Sequence, residues 1–320
     1  MAMTLNDRLP APSPIRAETR VSARKGGGRR GRRALGWAYL VPVLVYLVAF
    51  YAYPLYRNVE LSLRDYTVRS FVSGDAPFIG LDNFREVFAD PTFAPAMVHT
   101  AVFTIASITF QYVIGFALAV FFNRNFRLSA TLRALFLVPW LLPLIVSAST
   151  WSWMLNSESG VVNSALGVVG VSQVNWLTSP TWSLVAVIIA NIWIGIPFNL
   201  VILYSGLQNI PADVLEVAAL DGAGGWKTFR HITFPLLRPV SAIVLLLGFV
   251  YTLKVFDIIW IMTRGGPASS STTLSTWSYQ LGFGSLLPHF GAAAAVGNIL
   301  IVVALFFGLL YIRYEREREA

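Results

Sequence analysis

The sequence predicts an all-α integral membrane protein with six transmembrane helices and both termini in the cytoplasm. Three observations carry that expectation. The chain of 320 residues is 56% hydrophobic and only 12% charged, where a soluble domain is nearer ~25%. Its apolar residues gather into six runs, each long enough to cross the ~30 Å hydrocarbon core as a helix. Lys and Arg collect in alternate connecting segments, the bias that places basic loops in the cytoplasm.

The basic segment 1–33 comes first. It holds nine Lys/Arg, including ARKGGGRRGRR, against Asp7 and Glu18. Its Pro, Gly and Arg content predicts a disordered arm. An apolar span follows at once, so the arm reads as a topology signal and not as a nucleic-acid-binding element. It is too long and polar for a signal-peptide n-region, and the apolar run lacks a clear cleavage site.

The six spans of the membrane domain, 34–312, are 34–53, 97–122, 132–155, 182–204, 239–262 and 291–312. Pro42 lies in the first, Pro139 and Pro143 in the third and Pro197 in the fourth; each frees a backbone carbonyl and permits a bend. The fifth carries Lys254 and Asp257. Three apart on one helix, they are expected to share a face. They form either a structural ion pair or part of a solute pathway. The sixth opens with the small residues Gly291 to Ala295 and Gly297, which suit close helix packing. Trp37, Tyr53, Trp151, Trp153, Trp182, Trp260 and Tyr311 cluster near span ends, as an interfacial belt or as faces for stacking a sugar ring.

With the N-terminus inside, the cytoplasmic pieces are 1–33, 123–131 with Arg133, 205–238 and the tail 313–320. They hold 18 Lys/Arg against five in the outer pieces 54–96, 156–181 and 263–290.

Several chemistries are excluded. There is no cysteine, hence no disulfide or thiolate metal site. His99, His231 and His289 stand far apart, without HxxxH or HxH spacing, so no metal site is expected. DGAGGWKT, 221–228, resembles a phosphate loop at a glance. A phosphate loop needs Gly directly before Lys, after a strand. Here Trp226 separates Gly225 from Lys227. No nucleophile–base motif points to an enzyme.

The loop 205–238 instead predicts two short helices. Pro211 suits a first helical position and Asp213 complements the dipole. Val214, Val217 and Ala218 then share a face, Gly222 stops the first helix, and Trp226 to Ile232 form a second, ended by Pro235. An apolar helix exposed beside a membrane needs a partner to cover it.

The stretch Glu216-Val-Ala-(x)3-Gly222-(x)9-Ile232-x-Phe234-Pro235 resembles the EAA motif of ABC-transporter permeases. Val217 and Phe234 depart from that pattern without disturbing its spacing. Asp221, Gly222 and Ala223 match the DGA of the binding-protein-dependent sugar permeases. FIGLDNF, 78–84, and FDIIWIMTRGGPASSST, 256–272, are similar to two further stretches of the maltose-type and glycerol-phosphate-type first permease. The resemblance leaves only 1–33 uncovered.

This resemblance implies the six-helix type I importer permease fold in a bacterial or archaeal inner membrane. It implies a second permease subunit, two copies of a cytoplasmic ATPase and an extracytoplasmic binding protein that delivers a sugar or oligosaccharide. No cofactor is expected on this chain, and ATP–Mg is used by the ATPase. Glu216, Ala218, Ala219, Asp221, Gly222, Ala223, Ile232 and Pro235 are the expected coupling residues. Glu216 would make polar contacts, Ala218 and Ala219 would allow close approach, and Gly222 would turn the chain. Gln111, Asn191, Asn199, Lys254 and Asp257 are the candidates for the solute pathway; the three amides either meet solute hydroxyls or join helices. The alternative solutes are glycerol phosphate, a glycerophosphodiester or another polar compound. A stand-alone carrier would show internal repeats or a charged relay, and neither is evident.

Overall fold

The computed structural model describes residues 29–124, 126–284 and 286–319. Residues 1–28 of the basic arm lie outside them. Arg29 to Arg33, expected in the same disordered arm, are the first turns of a helix. Arginine is a strong helix former, and the apolar run gives it a helix to extend.

The chain divides into two compact units, 1–54 and 55–320. The first contains α1 (Arg29–Leu47) and a π turn at Val48–Ala52. Within it Tyr46 packs on Phe50 with ring centroids 4.9 Å apart. The helix runs on through α2 (Tyr53–Ser62), so a single apolar helix spans Tyr39–Ser62. That is well past the expected end at residue 53.

The π turn has a cause. Pro54 has no N–H and its ring crowds the preceding turn. Widening that turn to an i→i−5 bond, Tyr53 N–H to Val48 O, relieves the crowding. The same device recurs at Phe229–Thr233, where Phe234 N–H reaches Phe229 O just before Pro235.

The second unit begins with short helices α3 (Val68–Ser73) and α4 (Asp82–Ala89). Then come the long α5 (Phe93–Phe122), α6 (Ser129–Leu141), α7 (Leu144–Met154) and α8 (Val161–Val168). The 26-residue α9 (Ser183–Gln208) follows. The loop region holds α10 (Ala212–Leu220), α11 (Gly225–Thr228) and α12 (Phe234–Leu236). The remainder is α13 (Arg238–Leu253), α14 (Asp257–Met262), α15 (Leu274–Tyr279) and α16 (Phe290–Glu319). Among the described residues β-structure is limited to the isolated bridges Arg64–Phe78 and Thr67–His289.

Among the described residues four helices are long and apolar enough to cross a membrane, and up to six spans result if each of two bent pairs counts as one. Two expected spans are broken. The third bends by 96° between α6 and α7, where Leu142 is extended and Pro143 caps α7. The fifth stops at Leu253 and resumes at Asp257.

Helix α5 packs along α9. A Cβ on Gly115 would fall 2.5 Å from Asn199 Cβ and 3.1 Å from Leu200 N, so only glycine permits this approach. Phe116, Phe122, Leu200, Leu203 and Val244 fill the seam toward the loop. Phe103, Ala148, Val187, Ile258 and Ile259 fill its other end. A third cluster joins α4, α15 and α16 through Val87, Trp277, Ala292 and Val296. The small residues of α16 divide. A Cβ on Gly291 would meet Arg64 O at 2.5 Å, whereas one on Gly297 would find its nearest neighbour at 3.8 Å.

Candidate functional site

The 212–236 loop projects from the end of α9. Helix α10 has Asp213 in its first turn, and Pro211 is its N-cap, one residue before the expected position. Its end is a Schellman turn: Gly222 N–H bonds Ala219 O at 3.1 Å and Ala223 N–H bonds Ala218 O at 2.9 Å. Such a turn needs a left-handed residue at C′, and Gly222 has φ +74°. Asp221 is the C-cap, and the Ala223 carbonyl accepts a hydrogen bond from Thr228 Oγ1 at 3.3 Å. Every one of these bonds is local, so the turn is stiff.

The outward face of α10 is apolar and open. Val217 is 56% and Leu220 87% exposed, and Glu216 and Ala219 are exposed beside them. Ala218 is buried within the chain itself. Trp226, 70% exposed, stacks on Phe229 at 5.5 Å.

Pro235 does not end the second helix. Helical structure runs through it to Leu236, and the chain bends 63° only before α13. The π turn at Phe229–Thr233 absorbs the proline, with Ile232 half-buried inside it.

Four of the five pathway candidates come together. Gln111, Asn191, Lys254 and Asp257 line one cavity of about 450 Å³, with Trp140, Gly195, Phe198, Tyr251 and Thr252. Gln111 is 5% exposed and donates its Nε2 to the Asn191 carbonyl at 2.9 Å. A Cβ on Gly195 would lie 2.2 Å from Gln111 Cδ, so this glycine makes room for the amide. Asn191 Nδ2 is buried with no hydrogen-bond partner among the described residues. Buried polar groups are usually paired, and an unpaired donor lining a cavity is available to a ligand acceptor.

Lys254 and Asp257 do not share a helix face. Lys254 caps the end of α13 and Asp257 begins α14. No ion pair joins them within 4.0 Å; Lys254 Nζ lies 5.2 Å from the centroid of Tyr251. The break leaves both charges facing the cavity and not each other.

Asn199 stands apart. Its Nδ2 donates to Gly195 O, one turn back, at 2.9 Å, and its Cβ abuts Gly115. It packs α9 on α5.

The two further motifs are structural joints. Asn83 of FIGLDNF is 0% exposed, and its Nδ2 donates to Ser62 O and Arg64 O, each at 2.9 Å. The TRGGPASSST stretch folds on itself: Thr272 Oγ1 donates to Gly265 O at 2.9 Å and Ser271 Oγ to Gly266 O at 2.8 Å.

Apolar spans around a cavity with amides and charges, beside a stiff loop with an open apolar face, define a multi-pass membrane transport subunit. The chain belongs to the family of binding-protein-dependent transport system inner membrane components, whose model matches residues 111–318. That match contains both cavity and loop, and it agrees with the resemblance carried by 216–235. The chain is similar to the trehalose/maltose transport system permease protein MalF of Thermococcus litoralis, 35% identical over 89% of this chain and 95% of that protein. It is also similar to the sulfoquinovosyl glycerol transport system permease protein SmoG of Agrobacterium fabrum, 32% identical over 90% of this chain and 92% of that protein. Among solved structures, a bacterial alginate ABC transporter in complex with an alginate pentasaccharide-bound periplasmic protein matches with a TM-score of 0.78. The identity is 25%, over 90% of this chain and 96% of that chain.

Proposed function

We propose that the chain is the permease subunit of an ABC importer that carries a sugar or oligosaccharide across the cell membrane. The observation that carries this reading is the open apolar face of α10 on a Schellman turn, in the loop after a helix that lines a cavity holding amides and charges. Val217 and Leu220 would otherwise face water, and a groove on a separate ATPase subunit covers them. Glu216 and Asp221 make polar contacts at its edge. ATP is bound and hydrolysed there, and this chain holds no cofactor of its own.

Both termini and the loop lie in the cytoplasm. A binding protein on the other side delivers the solute. A second permease subunit supplies the remaining wall of the cavity. Closure of the ATPase pair moves α10, and α9 carries that motion to Asn191 and Gly195. The solute is bound by the unpaired Asn191 amide, by Lys254 and Asp257 at the helix break, and by the aromatic faces of Trp140 and Tyr251. Amides and two separate charges suit hydroxyls, and aromatic faces suit the apolar face of a sugar ring. The names of the relatives support the sugar class. Purification from the native membrane tests the assembly: an ATPase with a phosphate loop and a second permease should accompany the chain. A chain that purifies alone and transports without ATP would refute it.

A further inference from the structure

A second cavity lies along two of the helices that line the first. It has a volume of about 510 Å³ and is lined by Arg133 and Leu137 of α6 and by Val201, Tyr204, Ser205 and Gln208 of α9. The two cavities follow one another along the same two helices. On α9 the residues 191, 195 and 198 line the first and 201, 205 and 208 the second. Steps of three and four wind them over a broad face, an arc of about 140° at 100° per residue. On α6 Trp140 lines the first, and Leu137 and Arg133 the second. From Asn191 to Gln208 this face runs about 25 Å at 1.5 Å per residue, most of the thickness of a ~30 Å hydrocarbon core.

An aromatic pair stands at the end of the first cavity nearer the second: on α6 and on α9, Trp140 and Phe198 come next in sequence to the second cavity's lining. The rings of Trp140 and Phe198 approach edge-on, with centroids 6.3 Å apart at 65°. Phe198 also meets Tyr251 edge-on at 6.1 Å. Rings of this size close a narrow passage to a hydroxylated solute, and they open by rotation about side-chain bonds without moving the backbone. Trp140 is one residue from the end of α6, next to the 96° break at Leu142–Pro143. A shift of α6 against α7 therefore carries the indole with it.

The far chamber is polar at its end. The Arg133 guanidinium lies 4.3 Å over the Tyr204 ring, and no carboxylate is within 4.0 Å of it among the described residues. Ser205 and Gln208 stand beside it.

We infer that Trp140 and Phe198 are a gate between the solute cavity and an exit chamber ending at Arg133, Tyr204 and Ser205 on the side that carries the coupling loop. The inference rests on reading the chain as an importer permease, for which polar hydroxylated solutes leave on that side.

The chain has no cysteine, so single reporters can be placed. Leu144 lines the first cavity and Ser205 the second. In the assembled transporter, a membrane-impermeant maleimide is applied from the loop side. Ser205→Cys should react, and Leu144→Cys should react about tenfold more slowly or less, the ratio that a barrier of ~1.4 kcal/mol produces. Adding Trp140→Ala should raise the Leu144→Cys rate to that of Ser205→Cys, whereas Trp140→Phe should keep it low. Trp140→Phe also checks that lost protection is not lost folding. The gate is refuted if Leu144→Cys matches Ser205→Cys with Trp140 present, or stays protected with Trp140→Ala. Sugar uptake by the unsubstituted assembly is scored separately. Its absence would overturn the sugar reading and leave the labelling result standing.

Discussion

Gln111 of α5 donates its side-chain amide to the main-chain carbonyl of Asn191 on α9 at 2.9 Å. The bond ties α5 to α9 at the wall of the 450 Å³ cavity. It exists because Gly195, one turn along α9, has no side chain to fill the space of the amide.

Gly195→Ala should therefore impair transport without preventing insertion. The new Cβ would sit 2.2 Å from Gln111 Cδ, which must rotate away and lose its bond to the Asn191 carbonyl. The orphaned buried Gln111 donor costs roughly 1–3 kcal/mol. Sugar uptake by membrane vesicles should fall by at least about tenfold, while the amount of chain in the membrane is unchanged. Unaltered uptake would show that the amide does not shape the site.

The turn at Gly222 gives a graded series. Nothing lies within 4 Å of the position a Cβ would take, so space is not the constraint. The constraint is φ +74°. Asn tolerates this region, Ala pays about 1–2 kcal/mol, and Pro cannot enter it. Association with the ATPase should fall in the order Gly, Asn, Ala, Pro, with insertion intact throughout. Equal co-purification for Gly222→Pro would remove the coupling role from this turn.

Two glycines of the spans should respond oppositely. Gly115→Ala pushes a methyl against Asn199 Cβ at 2.5 Å and Leu200 N at 3.1 Å, so α5 and α9 must separate. Overpacking of this kind costs ~1–3 kcal/mol or more, and thermal unfolding of the purified assembly should shift sharply downward. Gly297→Ala meets ordinary contacts at 3.8 Å and beyond, and should unfold at the unsubstituted temperature.

Asn83→Ala removes a donor from Ser62 O and Arg64 O. Arg64 O keeps the Tyr66 N–H at 2.9 Å, and the orphaned buried Ser62 carbonyl costs roughly 1–3 kcal/mol. The assembly should lose thermal stability, with ATP-driven uptake by the surviving fraction retained. A drop in specific uptake at unchanged stability would give Asn83 a role in transport that its contacts do not explain.

The spans were legible because length and apolarity are sufficient cues for crossing a bilayer. Their breaks were not. Pro42 lies within α1, whereas Pro143 stands at a 96° break, and the residue type is the same in both. Lys254 and Asp257 looked like one helix face, yet the chain leaves the helix between them. Their charges identified them; their geometry depended on the cavity that both face. Asn191 and Asn199 were indistinguishable in sequence. Eight residues apart, they differ by about 80° around α9, enough to turn one to the cavity and the other to α5. Trp140, Phe198 and Tyr251 gave no signal, because aromatic residues are ordinary in spans. The 212–236 loop was the most legible part, since its turn rests on Gly222 and on local hydrogen bonds. The helix that continues past Pro235 was missed because π turns have no sequence signature as plain as a proline.

The central claim is that this chain moves a sugar only when a separate ATPase acts on the 212–236 loop. The most direct measurement is sugar uptake by proteoliposomes holding the complete assembly, with binding protein supplied outside and ATP inside. Uptake should require ATP hydrolysis and should vanish with Gly222→Pro while the chain remains in the bilayer. Uptake that persists without ATP, or that survives Gly222→Pro at full rate, would contradict it.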